Sequence, residues 1–397
     1  MQTMWRKGQN ERDRRFVTDN RQPDVVAGGA NEGRRDLRLD AVRGLALWFT
    51  FVDHVPNNVL SWLTIRNYGF SDASEVFVFV SGYACMIAYG GALRKQGWAT
   101  TVVRAIRRAW EIYAALLLLL MAYLALVWLF GGGSRYLDET NTGTFFQSPG
   151  ATLAHAAILQ YVPVNADILP TFVFLHLAFP ALLCLMTWRA SVALAASLLL
   201  YLLVQLFDWR VPTWPKGELF FNPLAWQVLF VFGAWYAYEG AGHLRAFIRS
   251  RATLAIALLY LAFSLVLALS WQMKSLEAFI PEVLSKLIYP IDKGHFSPLR
   301  FLHFLALAIL IARLMPADWA RLRQPLMTAA IRCGENALAV YCLSVLLSFC
   351  GTVILTEFSN AIAMQIAASV FGIAIMIGAA TLMTWTSKLD RPAPRLF

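Results

Sequence analysis

Long apolar runs separated by short polar segments dominate the chain from residue 37 onward. Several runs reach about twenty residues, the length at which an α-helix crosses the hydrocarbon core of a bilayer. Because backbone groups in lipid must find hydrogen bonds within their own segment, these runs predict membrane-spanning helices. We therefore expect an all-α fold, a polytopic transmembrane helical bundle that forms one membrane domain over 37–387. The ten predicted spans lie near 39–56, 72–91, 109–131, 168–188, 191–207, 223–239, 253–271, 299–316, 336–356 and 361–385.

The distribution of basic residues predicts the orientation. If the N-terminus is cytoplasmic, about 26 of the 34 Lys and Arg residues fall in cytoplasmic segments, as the positive-inside rule requires. An even number of spans returns the C-terminus to the same side. The polar, Arg-rich tail at 1–36 is expected to be disordered, and a short cytoplasmic tail is expected at 388–397. No cleavable signal is expected before the first span.

The remaining composition narrows the class of protein. The net charge of +10 is spread over short loops, so a nucleic-acid partner is not expected. The cysteines are odd in number, lie in or beside apolar segments and lack metal-ligand spacing, which predicts small core residues and no metal site. They are Cys85, Cys184, Cys333, Cys342 and Cys350.

The first predicted span ends in FVDHVP, which places Asp53 and His54 at the edge of the membrane. Arg43 and His54 are eleven residues apart, about three helical turns, so they share one face with an axial rise of about 16 Å. A neutral imidazole is a suitable general base for a hydroxyl, and ionisable residues within spans are functional candidates. The alternative for His54 is an interfacial residue bonded to headgroups or to a loop carbonyl.

The stretch GFSDASEVFVFVSGY at 69–83 follows directly. Ser71 or Asp72 is expected to cap a helix with Glu75 in its first turn. Glu75 and Asp53 join His54 as catalytic candidates, because all three are expected at one membrane level. Ser81 and its neighbouring glycine allow close approach of a helix or a ligand. Ser81 lies nearly three turns into this helix, so direct acyl transfer is favoured over a covalent acyl-serine.

Six ordered blocks of the chain resemble the membrane-bound acyltransferase family three and, within it, the OpgC-type osmoregulated periplasmic glucan succinyltransferases. The resemblance implies transfer of a succinyl group from cytoplasmic acyl-CoA to a hydroxyl of periplasmic glucan, in the bacterial inner membrane. It implies His54 as the catalytic base and Arg43 as the accompanying arginine. Acyl-CoA is then a donor substrate, and no permanently bound cofactor is expected. The blocks are RLDAVRGLAL (38–47), FVDHVPNN (51–58), GFSDASEVFVFVSGY (69–83), FNPLAWQVLFVFG (221–233), SPLRFLHFLALA (297–308) and CGENALAVYCLSVLLSF (333–349).

Basic residues at the cytoplasmic ends of the first and third spans are candidates for the phosphates of CoA, because guanidinium groups bind phosphate in a forked geometry. The alternative is anchoring by the positive-inside rule alone. These residues are Arg38, Arg43, Arg104, Arg107 and Arg108.

The acyl and acceptor pocket has two further groups of candidates. Ser81, Tyr83, Trp226 and Gln227 are expected to line it, with the last three as possible donors to the oxyanion. Lys293, Arg300 and His303 are expected to meet the free carboxylate of a succinyl group, which is costly to bury unpaired. The alternatives are an aromatic belt for Trp226 and rim anchoring for the basic group.

Three competing functions stay open. One is transfer of an acetyl or other acyl group to another extracytoplasmic polysaccharide, and another is a proton-coupled transporter that relays protons through Asp53, His54 and Glu75. A membrane scaffold ranks last. The expected partners are the lipid bilayer, acyl-CoA and the glucan acceptor, and a homo-oligomer is compatible with the sequence.

Overall fold

The described part of the chain is helical throughout. The computed structural model describes residues 36–131, 136–273, 282, 286, 288–316 and 319–389; the predicted N-terminal tail and most of the C-terminal tail lie outside them. No β-strand occurs in these ranges, and the one bridge between extended residues joins Pro212 and Glu218. The helices are α1 Leu37–Asp53, α2 Ala73–Gly131, α3 Gly143–Gln147, α4 Pro149–Ala157, α5 Ile168–Phe207, α6 Pro223–Trp235, α7 Ala241–Arg249, α8 Arg251–Gln272, α9 Pro298–Leu314, α10 Pro325–Glu335, α11 Ala337–Glu357 and α12 Ile362–Leu389.

Five described helices are long and apolar enough to cross a membrane, namely α2, α5, α8, α11 and α12. The predicted pair of spans at 72–91 and 109–131 is one helical run that breaks at Gly97, whose φ of 82° favours glycine. The pair at 168–188 and 191–207 is likewise one run, broken at the extended residue Arg189. The chain is therefore a helical membrane protein, and the count of ten spans and the cytoplasmic position of the termini stay predictions.

Two helix crossings depend on reciprocal glycines. A Cβ at Gly44 of α1 would collide with the carbonyl oxygen of Ala330, and one at Gly334 of α10 would collide with that of Asp40. The same arrangement joins α2 to α6, where Gly82 meets Phe230, and Gly233 meets Phe79. Small residues allow helices to approach this closely in lipid. The close approach predicted at Gly82 is thus a helix contact.

Candidate functional site

One candidate site is a cavity of about 1440 Å³, called here the large cavity. It opens between the end of α1, the start of α2 and the loops that precede α5 and α9. Its walls combine aromatic rings with carboxylates, amides and basic groups, which suits a polar ligand. The ionisable residues among the lining are Asp53, His54, Arg66, Asp72, Glu139, Asp167, Lys293 and Arg300.

His54 lines this cavity immediately after the last residue of α1. Its Nδ1 atom is buried and makes no hydrogen bond to any described residue. The adjacent Asp53 does not orient it, since the Asp53 Oδ1 atom accepts a hydrogen bond of 2.7 Å from the Thr64 hydroxyl. Lys293, Asp72 and Arg66 are the charged side chains that act on His54 electrostatically. Nδ1 is therefore not anchored by a described residue, and a general base at this place takes a proton through an imidazole nitrogen that faces the cavity.

The start of α2 is held by a capping box. The Ser74 N–H donates to Oδ1 of Asp72 over 2.8 Å, and the Asp72 N–H donates to Oε2 of Glu75 over 2.9 Å. Asp72 is therefore the cap, and the sequence-based prediction of a cap with Glu75 in the first turn is confirmed.

Glu75 is fully buried and forms an ion pair with Arg300, with 2.7 Å between Oε1 and Nη2. Arg300 also reaches Asp72 at 3.2 Å, and Asp72 pairs with Lys293 at 2.7 Å. The four side chains, two acids and two bases, form one cluster, and Asp72, Lys293 and Arg300 line the large cavity. Glu75 thus holds Arg300, and no hydrogen bond or ion pair between Glu75 and His54 occurs among the described residues.

His303 lies one turn after Arg300 on α9, and its ring contacts the residues that immediately precede α2. Its Nδ1 lies 2.6 Å from the Ser71 hydroxyl and accepts a hydrogen bond of 3.2 Å from the Ser71 N–H. A Cβ at Gly69 would collide with the ring of His303. His303 is not among the residues that line the large cavity. The ring is buried against residues 69–71, so the structure does not place it beside an acyl carboxylate.

A second cavity, about 310 Å³ and called here the small cavity, lies beside Arg43. Arg43 and Arg108 are its only basic residues besides His176, and no carboxylate occurs among the described residues that line it. Ser81 lines it as well, so this serine is remote from the His54 site, as its depth in the helix predicted. Cys85 lies against His176, with 3.4 Å between Sγ and Nε2. The lining of the small cavity therefore consists of two guanidinium groups among mostly apolar side chains.

The other predicted CoA-binding arginines lie away from both cavities. Arg38 binds the Asp36 carboxylate and the carbonyl oxygen of Met315. Arg104 donates to Gln96, and Arg107, with an exposed side chain, pairs with Glu111. Neither described cavity includes them, whereas Arg43 and Arg108 line the small cavity. Arg43 lies 3.6 Å from the Asp40 carboxylate, and Arg108 lies 3.0 Å from that of Glu111.

Three predicted pocket residues have packing roles. Trp226 is fully buried, and its indole N–H donates to the carbonyl oxygens of Lys293 and Gly294. Gln227 exchanges hydrogen bonds with Ser197. Tyr83 packs on Tyr236 with 6.3 Å between ring centroids. None lines either cavity, so the structure does not place them beside His54, and their roles as oxyanion donors stay predictions.

Three ionisable residues of the large cavity were missed by sequence reasoning, namely Arg66, Glu139 and Asp167. Arg66 donates to the carbonyl oxygen of Asp53 over 3.0 Å. Asp167 immediately precedes α5, and burial raises the pKa of its carboxyl to about 6. The signal for Asp167 was present, because it is an ionisable group at the edge of an apolar run, as His54 is. The loop at 136–167 also forms part of the wall, through Tyr136, Glu139, Thr140, Asn141, Val164, Asn165 and Asp167.

The fold and the two cavities define a class: a polytopic helical membrane protein with a large polar site that adjoins a smaller arginine-lined one. A family model described as OpgC protein matches residues 35–388. The chain belongs to this family, and the membership indicates a membrane acyltransferase that modifies glucans. Neither a curated protein nor a solved structure matches the chain.

Proposed function

We propose that the protein transfers a succinyl group from cytoplasmic acyl-CoA to a hydroxyl of periplasmic glucan, in the inner membrane of a bacterium. The observation that carries this proposal is His54, an imidazole in the wall of the large cavity whose Nδ1 makes no hydrogen bond to a described residue. The family supports a glucan-modifying transferase. The large cavity then faces the periplasm and receives the sugar.

The proposed step is direct transfer. The imidazole of His54 takes the proton of a glucan hydroxyl while the hydroxyl oxygen attacks the carbonyl carbon of the thioester. The carbon–sulfur bond of the tetrahedral intermediate breaks, and the CoA thiolate leaves with the proton that His54 returns. An ester on the sugar and free CoA are the products, so the histidine ends in its starting state.

The small cavity is the proposed entry for the donor. Arg43 lies three helical turns from His54, an axial rise of about 16 Å. An extended pantetheine arm of comparable length can therefore have its anionic end near Arg43 and Arg108 and its thioester near His54. Guanidinium groups suit phosphate because several N–H donors meet it in one plane.

Lys293 is the proposed partner of the succinyl carboxylate. It lines the large cavity, its side chain is about 30% exposed, and it acts on His54 electrostatically. Its ammonium group has three donors, and one of them reaches Asp72. Arg300 is less suited, because its guanidinium already binds Glu75 and Asp72.

The same engagement of Arg300 favours one alternative, transfer of an acyl group that carries no charge, such as acetyl. Asp72 lies between Lys293 and Arg300 and neutralises part of the positive charge that a dicarboxylic acyl group would need. The two donors differ by one carboxylate, so a direct comparison of succinyl and acetyl transfer separates them.

The test is mass spectrometry of periplasmic glucans from cells with the protein, without it, and with His54→Ala. We expect succinyl ester on the glucan only with the unaltered protein, and the variant should lose transfer by about a hundredfold or more, the usual effect of a general base. Equal expression of both proteins in the membrane is the control. Succinyl ester that persists at the wild-type level in His54→Ala would contradict the role of His54, and an acetyl ester would favour the alternative.

A further inference from the structure

Three residues line both cavities: Phe77 of α2, Ile168 of α5 and Tyr341 of α11. Each is buried, with an exposed fraction of at most 8%. The two cavities therefore meet at these three residues.

The partition is held on one side by a single hydrogen bond. The rings of Phe77 and Tyr341 meet edge to face, with centroids 6.3 Å apart and planes at 79°. The Tyr341 hydroxyl donates to the carbonyl oxygen of Asn165 over 2.6 Å. Asn165 lines the large cavity but not the small one. Tyr341 is thus held by a residue of the large cavity, which lies in the loop that leads to α5.

We infer that Phe77, Ile168 and Tyr341 form a gate through which the acyl thioester passes from the small cavity to His54, and that the gate limits the size of the acyl group. This inference rests on the proposed function. It follows from the placement of the groups: the arginines of the small cavity and the imidazole of the large cavity lie on opposite sides of these three side chains.

Rotation of side chains is enough to open such a partition. Aromatic side chains change rotamer without any displacement of the helices that carry them, whereas a backbone partition would need a helix movement. A thin acyl chain can pass between rotated rings, and a sugar ring of larger cross-section cannot. The gate therefore also keeps the glucan on its own side.

Cys85 supplies a reporter for the passage, because it is buried and lines the small cavity only. The full-length protein would carry Cys85 as its one thiol, with alanine at Cys184, Cys333, Cys342 and Cys350. A charged methanethiosulfonate reagent, which does not cross membranes, is applied to intact spheroplasts. Labelling of Cys85 is then measured by mass spectrometry.

We expect Cys85 to be labelled at least about tenfold faster in the Phe77→Ala variant than in the protein with Phe77. The matched control is Phe79→Ala, two residues along α2, because Phe79 packs on Phe232 and Phe304 and lines neither cavity. The control should leave the rate unchanged. An equal increase in both variants, or no labelling of Cys85 in either of them, would overturn the gate.

The second experiment measures acyl size with the full-length protein in proteoliposomes, supplied with acetyl-, succinyl- and hexanoyl-CoA and with glucan. Phe77→Ala should raise hexanoyl relative to acetyl transfer about fivefold, and Phe77→Trp should lower it by a similar factor. Equal changes for all three donors would show a packing role and contradict the gate. If the unaltered protein transfers no acyl group, the proposed function fails, and the labelling of Cys85 still decides whether the passage exists.

Discussion

The large and the small cavity differ in charge as much as in size. The large cavity, about 1440 Å³, is lined by four carboxylates and three strongly basic groups besides His54. The small cavity, about 310 Å³, has two arginines and no carboxylate among its described lining residues. Both arginines have an acidic neighbour outside the lining, since Arg43 lies 3.6 Å from Asp40 and Arg108 lies 3.0 Å from Glu111. The small cavity thus presents guanidinium donors without a lining carboxylate, while the large one presents both signs of charge. The contrast agrees with the proposed entry of the acyl carrier through the small cavity and of the sugar through the large one.

The largest effect is expected from the buried ion pair in the wall of the large cavity. Arg300→Met leaves Glu75 fully buried without its partner, and breaking such a pair costs about 3–5 kcal/mol. Thermal unfolding in detergent micelles should show a large fall in the melting temperature. The double variant Glu75→Gln with Arg300→Met should recover part of the loss, because no uncompensated charge then stays buried. A double variant that is less stable than Arg300→Met would contradict this account.

The second-largest effect is expected at Arg43 and tests whether the small cavity binds acyl-CoA. Arg43→Met should raise the KM for acyl-CoA by about tenfold to a hundredfold, because a hydrogen bond to a charged group contributes about 1.5–3 kcal/mol. Steady-state kinetics with varied acyl-CoA measure it.

Arg107 provides the control for this experiment. Its side chain is largely exposed, pairs with Glu111 on the surface of α2, and lines neither cavity. Arg107→Met should leave the KM for acyl-CoA within about twofold of the wild-type value, as expected for an exposed ion pair. Equal increases in both variants would indicate a general effect of positive charge rather than a site at Arg43.

Sequence reasoning predicts features that depend on residues close together in the chain, such as helical spacing and helix caps. The spacing of Arg43 and His54 predicted a shared face, and the two residues line adjoining cavities. The cap of α2 needed only the order of residues 72–75. The roles of Trp226 and Gln227 could not be predicted in this way, because the face that a buried polar group presents depends on contacts distant in sequence, such as that of Trp226 with Lys293. The pairing of Glu75 with Arg300 joins residues 225 positions apart and has no local signal.

A smaller effect concerns the choice of acyl group. Lys293→Met should lower succinyl transfer by about tenfold and acetyl transfer by less than about threefold, because only the succinyl carboxylate needs a charged partner. The ratio of the two products, measured with equal donor concentrations, is the readout. Lys293→Arg keeps the positive charge and should restore much of the preference. If succinyl and acetyl transfer fall by the same factor, Lys293 stabilises the cavity wall and does not bind the succinyl carboxylate.

The smallest expected effect is a change in the pH dependence of stability at Asp167. Burial raises the pKa of this carboxyl in the folded protein to about 6, from its usual 3.8. A raised pKa means that the folded state holds the proton more tightly, so the stabilisation is complete below about pH 4 and is lost as the pH rises through 6. Asp167→Asn keeps the shape, removes the charge, and should flatten the rise in melting temperature on going from pH 7 to pH 4. Asp138→Asn, at an exposed aspartate, is the matched control and should keep the wild-type profile. A profile for Asp167→Asn that follows the wild type would show that Asp167 does not titrate in this range, and the large cavity would then hold one more permanent negative charge at neutral pH.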